Sequence, residues 1–129
     1  MKIKKRVLCA QRLRQVPSQF SWIDQRLVRQ GRYLGSCSPQ ALALYLILVT
    51  VCDAEGLSYY SDATLQRMLG WKASALSQAR EQLCEADLIA YQSPLYQVLS
   101  LEEAPAEGSR VNQSLSAGEI LRQIVGGGQ

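Results

Sequence analysis

SDATLQRMLGWKASALSQAREQLCEA, residues 61–86, holds two helical periods separated by a glycine. Ser61 has a side-chain oxygen able to accept from the free N–H groups of a first turn, so it predicts a helix start. Leu65, Met68 and Leu69 then share one face at i, i+3, i+4 spacing. Gly70 and Trp71 form a tight turn. The next helix, over about 72–86, puts Leu76, Ala79 and Leu83 on one stripe and leaves Ser74, Ser77, Gln78, Glu81 and Gln82 outside. Two short helices joined by a glycine-containing turn are a helix-turn-helix pattern.

Downstream, Leu88–Tyr91 is apolar and aromatic, 92–95 is a turn with Pro94, and 96–101 alternates as a strand does. A hairpin placed directly after a helix-turn-helix is a wing. Upstream, Ser38 followed by Pro39 starts a helix, since serine caps and proline loses nothing at the first helical position. That helix runs to about Asp53, and its nearly continuous apolar residues, Leu42 to Val51, require cover on most sides. Gly56 allows the left-handed conformation that stops it, and Leu57–Tyr60 is short and extended. The expected fold is mainly α with a small β-hairpin wing, a winged helix-turn-helix. Residues 20–34 fit neither a period of 2 nor of 3.6. They are a short helix or strand whose Trp22, Ile23, Leu27 and Val28 cover the next helix. Tyr59, Tyr60, Tyr91 and Tyr96 are expected to pack around the hairpin, with Trp71 as a core plug.

The segment SDATLQRMLGW, followed by AREQLCEADLIAY over 79–91, resembles the bacterial winged helix-turn-helix superfamily. Its members include replication initiators, DnaD-like proteins and MarR- or GntR-type regulators, many of them on mobile elements. The resemblance covers about half the chain. It implies that the helix over 72–86 enters the major groove of double-stranded DNA while the wing tip meets the backbone. Lys72, Ser74, Ser77 and Gln78 would then lie near bases, and Arg67 and Arg80 near phosphates. The chain departs from the pattern in two ways. Glu81, Glu85 and Asp87 follow on the same helix and just after it, and the wing tip has no cation.

Charge is distributed unevenly. Residues 1–40 carry nine basic side chains and Asp24 as the lone acid, whereas the remaining 89 carry five basic and ten acidic ones. An arm bearing Lys4, Lys5, Arg6, Arg12 and Arg14 suits phosphates, because neutralising them releases condensed counterions. The same arm also reads as a solubilising tail.

At 129 residues, 47% hydrophobic and 19% charged, the chain is sized for one globular domain with tails. The expected division is a basic flexible arm (1–19), the domain (20–101), a linker (102–113) and a C-terminal amphipathic helix with a glycine tail (114–129). In the last, Ser116 and Glu119 form a capping box ahead of Ile120, Leu121, Ile124 and Val125. Ten residues are marginal as a lone helix, so this one should dock on its own domain, on a second copy to give a homodimer, or on another protein. Residues 41–52 are too short to span a bilayer, and residues 1–14 lack the apolar segment of a secretory signal, so a cytoplasmic protein without membrane contact is expected. There is no histidine, no Gly-rich phosphate loop and no CxxC among Cys9, Cys37, Cys52 and Cys84. No catalysis, cofactor or metal is therefore expected, and Cys52 and Cys84 read as buried thiols. The function classes left are a DNA-binding protein of transcription regulation or replication, a winged-helix protein-interaction adaptor, and an accessory subunit of a DNA-processing complex.

Overall fold

The computed structural model describes residues 3–101. Residues 1–2 and 102–129, and with them the expected linker and C-terminal helix, lie outside the described residues. In chain order the elements are α1 (Arg26–Arg29), α2 (Arg32–Ser36), α3 (Pro39–Val51), β1 (Leu57–Tyr59), α4 (Asp62–Leu69), α5 (Ala73–Glu85), β2 (Ile89–Gln92) and β3 (Leu95–Val98). A single 3-10 turn, Ala10–Arg12, interrupts the basic arm. The described chain is thus mixed α/β: five helices and a three-stranded antiparallel sheet in the order β1-β3-β2.

Local chemistry accounts for the boundaries. The Ala41 N–H donates to Ser38 Oγ at 3.1 Å with Pro39 behind the cap, and the Thr64 N–H donates to Ser61 Oγ at 3.1 Å. Gly70, at φ 71°, ends α4 in the left-handed region and sends its N–H to the Gln66 carbonyl. After α3, Asp53 Oδ1 accepts the N–H groups of Glu55 and Leu57 at 2.8 and 2.9 Å, folding the chain back into β1. At this corner Gly56 takes φ 87°, and its carbonyl accepts the Val98 N–H at 2.8 Å.

The core gathers around α3 and α5. Ala41, Leu44, Tyr45, Leu48 and Val49 of α3 meet Leu76, Ala79 and Leu83 of α5, with Leu65, Leu88, Ile89 and Tyr96 closing the cluster. Leu27 and Tyr33 add the cover from α1 and α2. Gln82, expected outside, is half-buried, and its Oε1 accepts the Ser38 N–H at 2.8 Å, clamping α5 to the start of α3.

Several expectations are corrected. Residues 20–34 contain two short helices instead of one helix or strand, and of the expected covering residues only Leu27 is buried. The one-turn α1 turns only Leu27 inward and leaves Val28 exposed, and Trp22 and Ile23 precede it outside any helix or strand. α3 is covered on most sides as expected: of its apolar residues from Leu42 to Val51 only Leu46, 56% exposed, faces solvent. Met68 is exposed because the contact row of the short α4 follows Leu65 and Leu69, with Met68 at its rim. Cys84 is exposed, one residue and about 100° around the helix from buried Leu83, and Cys52 is half-buried just past the end of α3. All four cysteines are free thiols. No helix among the described residues is long and apolar enough to cross a membrane.

The two left-handed glycines predict contrasting substitutions. A Cβ on Gly56 would collide with the Val98 carbonyl oxygen, whereas one on Gly70 meets nothing. Gly56→Ala is expected to cost about 3 kcal/mol or more in urea unfolding and Gly70→Ala about 1 kcal/mol. Equal losses would mean that the approach to β3 is not tight.

Candidate nucleic-acid interface

α5 is amphipathic, and its two faces do different things. Leu76, Ala79 and Leu83 face the core, while Ser74, Ser77, Gln78, Glu81 and Glu85 form the exposed face. Lys72 is the exposed N-cap residue of α5, and its carbonyl accepts the N–H groups of Ala75 and Leu76. Arg67 is exposed in the last turn of α4. The intervening turn is tight, because Gln66 O accepts from both the Gly70 and Trp71 N–H groups at 2.7 and 3.1 Å. The two cations therefore flank one turn, and the uncharged polar residues begin immediately after it. Going along the exposed face, the charge passes from Lys72 through Ser74, Ser77 and Gln78 to Glu81 and Glu85. The N-terminal half of the face is suited to an anionic surface in a way the C-terminal half is not.

Arg80 was expected to meet phosphate, but the structure gives it another task. Its Nη1 donates to Asp62 Oδ1 at 2.9 Å and to the Tyr96 hydroxyl at 2.8 Å. Its guanidinium also stacks 4.3 Å from the centroid of the Tyr91 ring, which lies 4.6 Å from that of Tyr96. Burial opposes the charge, yet the hydrogen bonds to Asp62 and Tyr96 outweigh it and hold Arg80 above its ordinary value. The Arg80 side chain is only 14% exposed. An arginine so engaged is a strut between α5, the start of α4 and the sheet, unavailable to a phosphate. Its partner Asp62 had no role in the sequence reading. The i, i+18 relation between the two is invisible to helical spacing.

The basic arm is exposed along residues 3–20, so Lys4, Lys5, Arg6, Arg12 and Arg14 all present their charges to solvent. At the hairpin tip, Gln92, Ser93 and Pro94 are exposed and carry no charge. Beside the tip stands Tyr59, paired with Leu95 in the β1–β3 register and 71% exposed. It does not pack around the hairpin as expected. Tyr96, by contrast, is fully buried, and Tyr60, Tyr91 and Trp71 pack partly against the core. In β1 the inward place goes to Ser58, which leaves its neighbour Tyr59 facing outward.

Comparison with protein-family models, with curated proteins and with solved structures gives no match for this chain.

The Arg80 cluster carries a prediction about stability, and the buried tyrosines and Cys84 carry one about pH. Arg80→Met keeps the apolar stem but leaves the buried Tyr96 hydroxyl without its donor, so urea unfolding should lose about 2–3 kcal/mol. Adding Tyr96→Phe, which removes the orphaned hydroxyl, should recover about 1 kcal/mol. No loss in the single variant would mean the cluster is not formed. The second prediction concerns pH. Tyr96 and Tyr45 are held above the ordinary 10.0, and Cys84 above 9.0, burial being the leading cause in each. The unfolded chain gives up these protons first, so their contribution is full below about pH 9 and is lost as pH rises past 10 through the folded-state values. Thermal midpoints should be flat from neutral to mildly alkaline pH and fall above it; a rise there would contradict the assignment.

Proposed function

We propose that this protein binds double-stranded DNA as a winged helix-turn-helix, acting in transcription regulation or replication of bacterial or mobile-element DNA. In this reading α4 and α5 are the helix-turn-helix, the β2–β3 hairpin is the wing, and β1 completes the sheet. The order of elements is compatible with that arrangement. The observation that carries the reading is the N-terminal half of α5: an exposed face of Ser74, Ser77 and Gln78, entered past Arg67 and Lys72, with its other face locked into the core. Side chains of this kind donate to and accept from base edges, and a helix fits the major groove. The uncharged tip implies a division of labour. The wing supplies shape, while Lys4, Lys5, Arg6, Arg12 and Arg14 supply the phosphate contacts. Exposed Tyr59 at the wing offers a further apolar contact to sugar or base. The protein acts by binding, without chemistry of its own.

One observation favours a second reading, a protein-interaction adaptor. Glu81 and Glu85 occupy the same exposed face, and an acidic helix surface suits a basic protein partner better than a duplex.

Fluorescence anisotropy with a random duplex separates the two. The full chain should bind at about 50 mM salt and weaken steeply by about 200 mM. Lys4→Ala/Lys5→Ala/Arg6→Ala should reduce the slope of log K against log salt by about 3. Lys72→Ala should reduce it by about 1, and Gln78→Ala should weaken a selected site more than a random one. Absence of binding at both salt concentrations would reject the DNA reading in favour of the adaptor.

A further inference from the structure

An open groove of about 760 Å³ runs between residues 20–26, the end of α3 with the turn after it, and the chain leaving β3. Its walls include Phe20, Trp22 and Ile23 on one side and Val49, Val98 and Leu101 on the other. Phe20 is 65%, Trp22 75% and Ile23 47% exposed, although Ser21 between them is tied down, its Oγ donating to the Thr50 carbonyl at 2.9 Å. The stretch that carries three large apolar side chains is thus anchored beside a concavity that none of them fills. An aromatic side chain gives up roughly 150–250 Å² on burial, so leaving two of them in water is costly for a chain this size.

We infer that the groove is the docking site of the chain's own segment 116–125, held there as an amphipathic helix. The last described residues, Leu99 to Leu101, are themselves part of the groove wall, so the chain leaves the described fold from the site it would occupy. Fourteen residues, 102–115, separate that exit from Ser116. A random-coil chain of this length would have a root-mean-square span of roughly 20 Å, short enough for a millimolar effective concentration at the groove. The segment brings Ile120, Leu121, Ile124 and Val125, four aliphatic side chains on adjacent helical rows, behind the Ser116/Glu119 capping box. That stripe complements aromatic walls. The other tether near the groove, the basic arm, contributes no residue of 3–19 to its lining. A duplex is also a poor occupant, because Asp53, Glu55 and Asp87 stand among the lining residues. A ten-residue helix is marginal in water by itself, and the groove supplies the burial that it lacks.

Hydrogen exchange by mass spectrometry on the full chain tests this, comparing wild type with Leu121→Asp/Ile124→Asp and, independently, with Trp22→Asp. Trp22 does not belong to the buried core of the described residues. In wild type, amides within 120–125 should exchange at least about tenfold more slowly than in either variant. Peptides covering 20–26 and 97–101 should lose protection when Leu121 and Ile124 are changed, with the mass by sedimentation staying monomeric. Unprotected exchange over 120–125 in wild type would overturn the inference. So would protection that grows with concentration alongside a dimeric mass, which would assign the groove to a second copy. The outcome is independent of duplex binding, since neither variant alters Lys72, Gln78 or the arm.

Discussion

A single guanidinium bridges α4, α5 and the sheet of the described fold. Arg80 reaches from α5 to Asp62 at the start of α4 and to Tyr96 in the middle of β3, and it lies over Tyr91 of β2. The arrangement is directional where hydrophobic packing is not. Leu65, Leu76 and Leu83 would tolerate some sliding of α4 and the sheet about α5, but a planar fork with two acceptors and a ring fixes the angle of each. Truncating it would leave the Tyr96 hydroxyl desolvated and unpartnered in the core, a larger penalty than the loss of an exposed ion pair. The exposed half of α5 keeps its direction because the opposite half is held by Arg80 and by the Gln82–Ser38 clamp.

The second constraint is the corner after α3. Asp53 accepts two backbone N–H groups and Gly56 bonds to Val98, so the end of the longest apolar helix and the last strand are fastened through four residues. This attaches the sheet to the helical layer at the end opposite the hairpin tip. It also shapes one wall of the groove beside Trp22.

Much of this was legible in the sequence, and the parts that were not share a cause. The caps at Ser38 and Ser61, the glycine stop at Gly70, the left-handed Gly56 in the turn after α3, and the strands near 57, 89 and 95 are local signals: one side chain, one backbone conformation, one alternation. Their positions were read to within two or three residues. What escaped depended on distant partners. Arg80 looked like a cation available to phosphate because Asp62 and Tyr96 lie 18 and 16 residues away. Gln82 looked solvated for the same reason, its partner lying 44 residues upstream. Trp22 and Val28 looked like core by hydropathy, yet Trp22 lies outside any helix or strand and the one-turn α1 has room inward for Leu27 only. Residue type predicts burial in proportion to how regular the surrounding element is. In the candidate interface the same rule held: Ser74, Ser77 and Gln78 were read correctly as exposed from helical periodicity, whereas Tyr59 was not, because a three-residue strand offers too little alternation to read.

The distribution of charge bears on how such a protein would work in the proposed reading. Few of the cations sit on the folded domain's candidate face: Arg67 and Lys72 remain once Arg80 is committed to the interior, and Glu81 and Glu85 oppose them two turns on. A face of that composition has little attraction for a duplex at long range, while the exposed arm, with its lysines and arginines, has much. Affinity and orientation then come from different places. The arm brings and keeps the protein at phosphate irrespective of sequence, and the acids at the far end of α5 penalise any pose that lays the whole helix along the backbone. The pose left over is the one that points the N-terminal turn of α5 inward, with Ser74, Ser77 and Gln78 foremost. Repulsion by Glu81 and Glu85, which at first counts against DNA binding, becomes in this arrangement the element that selects its geometry.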